Sequence, residues 1–68
     1  MAKNKDRVTY LGSLVTKELE KKHFDNFSKY AQYHGNGVYS WRGIVATDTR
    51  ELFLMGICRI ENIEFEEI

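Results

Sequence analysis

Between Thr16 and His34 the apolar residues recur with the period of an α-helix, and no other segment constrains the fold as tightly. At about 100° per residue, Leu19, His23, Phe24, Phe27, Tyr30, Ala31 and Tyr33 share one half of the helical wheel. The other half holds Lys17, Glu18, Lys21, Lys22, Asp25, Ser28, Lys29 and Gln32, none of them apolar. Thr16 suits the N-cap, and Glu18 and Glu20 in the first turn complement the helix dipole. Leu11 and Leu14 would fall on the polar side of a helix extended backwards, so the helix begins near Thr16. It stops at His34-Gly35-Asn36-Gly37, where Gly35 suits a left-handed C-terminal position.

A helix with one apolar face needs a surface to cover, and the flanking segments read as strands. Val8 to Val15 is rich in β-branched and apolar residues. Val38 to Thr47 alternates, with Tyr39, Trp41, Gly43 and Val45 on one face. Asp48-Thr49-Arg50 is a turn, and Glu51 to Ile60 follows as the second arm of a hairpin. Ile63 to Ile68 reads as a short last strand, with Ile63 and Phe65 opposite Glu64 and Glu66. The expected fold class is α+β: an antiparallel sheet of three to four strands in the order β-α-β-β, the fourth strand short and terminal, with one amphipathic helix packed across one face. Residues 1–7 are expected as a mobile basic arm and residues 8–68 as a single compact domain.

Size gives this arrangement a consequence. A chain of 68 residues buries only about 60% of its extended surface on folding, which is marginal. Its single cysteine, Cys58, excludes a disulfide framework and points to a reducing compartment, expected to be the cytoplasm. The predicted sheet has a second partly apolar face, with Val38, Ile44, Leu52, Leu54, Cys58 and Ile60 opposite Trp41. One helix covers one face. An uncovered apolar face is adhesive, so a homodimer or a larger protein partner is expected there.

Charge excludes other classes. Ten Lys and Arg balance ten Asp and Glu, so the chain is no simple polycation or polyanion. The balance is uneven along its length. Residues 1–34 carry seven basic and four acidic groups, residues 35–68 three and six. The acidic end, Glu61, Glu64, Glu66 and Glu67, is the expected partner-binding segment, facing a basic surface on a larger protein. The alternative is nucleic-acid contact by the arm, the helix lysines Lys17, Lys21 and Lys29, and a sheet surface of Tyr39, Trp41 and Arg42. No apolar run is long enough to cross a bilayer, and Met1 to Lys5 lacks the apolar stretch of a signal peptide.

Catalytic chemistry finds little support. His23 lies on the apolar half of the helix, His34 at its end and Cys58 in mid-strand, with no pair at zinc-ligand spacing. The glycines at 35 and 37 follow a helix, whereas phosphate loops follow a strand and open a helix. Neither cofactor nor metal is expected. The reading is a small non-enzymatic binding module, of bacterial or phage accessory type, that regulates or inhibits a larger protein through its sheet face and acidic C-terminal segment.

Overall fold

The computed structural model describes residues 3–66, and their side chains from Arg7 onward. It contains three helices and one three-stranded antiparallel sheet, an α+β fold. In chain order these are α1 (Lys3–Leu14), α2 (Lys17–Tyr30), β1 (Gln32–Gly35), β2 (Val38–Trp41), β3 (Ile44–Ala46) and α3 (Thr49–Ile60). The expected β-α-β-β order with a single helix is therefore corrected.

The first strand is a helix. Within α1, Val8, Leu11 and Val15 just beyond its end are spaced for one helical face, and Leu11 is fully buried. Leu11 fell on the wrong side of α2's wheel because the chain breaks at Val15–Thr16, which resets the phase. The boundary expected at residue 7 also lies inside α1, and Arg7 joins the fold by pairing with Glu51 at 2.5 Å. Met1 and Ala2 lie outside the described residues.

α2 starts where its sequence requires. Thr16 is extended and its hydroxyl accepts the Leu19 amide at 3.2 Å, an N-cap. The helix ends earlier than expected, at Ala31, and the chain turns directly into β1. Asn36-Gly37 is a two-residue hairpin turn with both φ values positive, not a helix stop. The strand expected over residues 38–47 folds back on itself through a second such turn at Arg42-Gly43. Tyr33 faces Tyr39 across β1–β2, and Trp41 faces Ile44 across β2–β3.

The second arm of the predicted hairpin is α3. Asp48 caps it, accepting the amides of Arg50 and Glu51 at 2.8 and 3.3 Å. Its other end closes through Asn62 in the left-handed region, with Ile63 N–H donating to Cys58 C=O at 2.8 Å. Residues 63–66 form no strand, and the expected continuation through 67–68 lies outside the described residues.

α3 is the centre of the molecule. It packs on α1, α2, β2 and β3, and Leu52, Phe53, Leu54, Ile57 and Cys58 along it are buried. Each such aliphatic side chain contributes roughly 1.5–3 kcal/mol by leaving water. Gly56 lets the sheet approach, because Trp41's six-membered ring lies where a Cβ would stand. The indole is walled by Phe27, edge-on at 5.0 Å, and by Phe53 at 5.9 Å, while its N–H donates to Asn26 Oδ1 at 3.1 Å. Leu52, Leu54 and Cys58 thus belong to a core helix rather than to a second sheet face. The expected uncovered apolar face disappears, and with it the stated reason for a homodimer.

Candidate binding surfaces

The acidic segment divides. Glu61 turns inward at the end of α3, where His23 Nε2 lies 2.8 Å and Lys22 Nζ 3.1 Å from its Oε2. A carboxylate only accepts, so His23 Nε2 carries the proton of that bond. The His23 hydrogen bond, then that of Lys22, hold the Glu61 carboxyl below the usual glutamate range. Glu61 is thus a strut between α2 and α3. Ile63 and Phe65 pack against the core while Glu64 and Glu66 face solvent. Side chains of α1 strap the main chain of this stretch: Glu66 N–H donates to Tyr10 Oη at 3.1 Å, and the Arg7 guanidinium donates to Glu66 C=O at 3.3 Å. Glu67 lies outside the described residues.

The basic and aromatic candidates fall on two separate surfaces. The first is an open groove of about 560 Å³ between α2 and α3. Phe27 and Phe53 form its floor. Phe24 stands over them with 57% of its surface exposed, its ring edge-on to Phe53 at 6.3 Å. Lys17 and Lys21 line the rim with Arg50, whose guanidinium is held by Glu20 through bonds of 2.8 and 3.2 Å. A helix placed on α3 through Leu19, His23 and Phe27 leaves Phe24 on its flank, one residue round from the buried line. The sequence assigned Phe24 to the core and gave Arg50 no role.

The second surface lies beyond the end of α3's cover. Tyr30 and Tyr33 are 59% and 61% exposed, and Tyr33 stacks at a tilt on half-buried Tyr39 with ring centres 4.8 Å apart. Lys29 and Arg42 are exposed beside them, the Arg42 guanidinium 5.9 Å from the centre of the Trp41 ring. Trp41 itself is 2% exposed, so of the expected sheet trio only Arg42 stands fully in solvent. A recess of about 410 Å³ is lined by Asn26, Tyr30, Trp41 and Arg42.

Chemistry-bearing side chains elsewhere are few. His34 Nε2 and Ser40 Oγ lie 2.6 Å apart on the polar face of the sheet. Cys58 is fully buried, which pushes its thiol above the usual cysteine value and makes it a packing residue. Among the described residues no three His, Cys, Asp or Glu side chains gather as a metal site, and no helix is long and apolar enough to cross a membrane. No protein-family model, curated protein or solved structure matches the chain.

Proposed function

We propose that this protein is a small non-enzymatic binding module that docks on a larger protein through the α2–α3 groove and regulates it by occupying that contact. The observation that carries the reading is Phe24, a large aromatic side chain kept in solvent over an apolar floor and beside two lysines. Leaving a phenylalanine exposed gives up burial energy that a fold of this size has little of, and a partner restores it. Aromatic anchors in partly walled sites carry much of an interface's energy. The rim selects the occupant. Lys17 and Lys21 outweigh Glu20, whose charge is answered by Arg50, so the groove fits an apolar segment flanked by Asp or Glu.

Selection from a displayed library of random short peptides tests this reading. The expected result is enrichment of apolar residues interleaved with acids, lost in Phe24→Ser and kept in Tyr33→Ser. Charge reversal of Lys17 and Lys21 to Glu is expected to remove the acidic preference. Recovery of the same peptides by the Phe24→Ser protein, or no enrichment at all, would falsify the assignment.

A further inference from the structure

We infer that the aromatic end of the molecule is a second, independent binding surface, and that its ligand is single-stranded nucleic acid. The groove accounts for Lys17, Lys21 and Phe24, but not for Tyr30, Tyr33, Tyr39, Lys29 and Arg42. These five come from the end of α2 and from the β1–β2–β3 hairpins. From Asn26 to Thr47 the chain carries Lys29 and Arg42 and no acidic residue, although acids and bases balance overall. Asp25 stands one turn before Lys29 on α2, so Arg42 is the cation of this surface that has no acid beside it on its own element.

The geometry suits bases rather than an aliphatic partner. Tyr33 offers an open ring face backed by half-buried Tyr39. The recess beside Trp41 is walled by Tyr30 and Arg42 and floored in part by Asn26. One open ring, Tyr33, and a recess walled by exposed Tyr30 with Arg42 alongside match the way unpaired bases and their phosphates are held. A duplex hides its base faces, and two cations on a chain of zero net charge hold duplex phosphates poorly.

A further observation points to Arg42. It occupies the first central position of the Arg42-Gly43 turn at φ +57°, a left-handed conformation in which Asn or Gly is the less strained choice. This long cation is held in a strained turn position with its guanidinium 5.9 Å from the Trp41 ring centre and still exposed beside the aromatic recess, where a ligand phosphate can reach it.

Fluorescence anisotropy of a labelled oligothymidylate, titrated with the full chain at several salt concentrations, tests the inference. With Lys29 and Arg42 as the phosphate contacts, log affinity should fall with log salt at a slope of about −1.4. Tyr33→Ala should weaken binding at least about fivefold, since a stacked base is lost. Arg42→Asn should weaken binding and reduce the slope to about −0.7, while raising the thermal midpoint because the turn is relieved. That pair of opposite effects does not arise from a residue with a purely structural role. Phe24→Ser should leave binding unchanged, which separates this surface from the groove. The inference is overturned by absent binding at low salt, by equal affinity for duplex of the same length, by displacement with equimolar thymidine monophosphate, or by affinity indifferent to both Tyr33→Ala and Arg42→Asn.

Discussion

α2 and α3 pack against each other, yet they are opposite kinds of helix. Among its fourteen residues α2 buries only His23, and it carries the clearest helical periodicity in the chain. α3 buries six of its twelve residues, and it reads in sequence as a strand. Amphipathic periodicity is a property of a helix with one wet side. A helix covered by a sheet and two other helices keeps few exposed residues, here Thr49, Arg50 and Arg59, and its local composition is that of a buried strand. The same contrast separates their roles. α3 holds the molecule together, while α2 presents side chains to solvent from its middle and from its C-terminal end, Phe24 toward the groove and Tyr30 toward the hairpins.

Two glycines give the strongest way to break that comparison, because both lie within helices. Gly56 of α3 faces Trp41, and an added Cβ overlaps two ring atoms of an indole that Phe27 and Phe53 prevent from moving aside. Overpacking of this kind destabilises by about 3 kcal/mol. Gly12 of α1 has no neighbour within 4 Å of an added Cβ. Gly12→Ala should therefore stabilise by roughly 0.5–1 kcal/mol, through helix propensity and a less flexible unfolded chain. Urea unfolding of the two variants should give midpoints on opposite sides of the parent's. A Gly56→Ala protein as stable as the parent would mean that α3 is not the tightly covered element described.

What the sequence made legible follows from the same difference. α2 and its Thr16 cap were readable because solvent on one side writes a pattern into the residues. α1 was not, since its stripe of Val8, Leu11 and Val15 is out of phase with α2 across the break at Thr16, and its β-branched residues suggested extension. α3 had one available signal. Asp48-Thr-Arg-Glu51 ahead of an apolar run is a capping pattern, and taking Asp48 as a turn residue hid it. Asn36-Gly37 is likewise the strongest short hairpin signal, and it lost to the reading of a helix stop. Of the surfaces, Lys17, Lys21, Lys29 and Arg42 were legible as exposed charges. Phe24, Tyr30 and Tyr33 were not, because a wheel shows which half of a helix is apolar but not how far its neighbours extend to cover it.

Removing each helix's cap sharpens the contrast at a smaller scale. Thr16→Ala and Asp48→Ala each delete a side-chain acceptor, worth about 1 kcal/mol on average. Asp48 serves two amides and starts the core helix, so its loss should lie toward 2 kcal/mol and lower the protection of amides throughout the fold. Thr16 serves one amide on a peripheral helix. Its loss should approach 0.5–1 kcal/mol and appear in hydrogen exchange as fraying of the first turn of α2. Equal, global losses of protection in both variants would erase the distinction between a core helix and a presenting one.

The smallest effect concerns the strut joining the two helices. Glu61 sits at the C-terminal end of α3, where its charge opposes the helix dipole, and the His23 and Lys22 hydrogen bonds outweigh that opposition. Its carboxyl therefore releases its proton at lower pH in the folded protein than in the unfolded chain. A group with a depressed folded pKa adds stability above its unfolded value, roughly 4.3 for glutamate, and loses it as pH falls through the folded value. Glu61→Gln keeps the shape of the side chain and removes the charge. The parent should exceed this variant in stability at neutral pH, and the gap should narrow progressively as pH drops below about 4.3. The partly exposed position of Glu61 keeps the gap modest, so the sign and the pH at which it closes are the informative readings. A gap that stayed constant down to acid pH would show that Glu61 joins the helices through its shape alone.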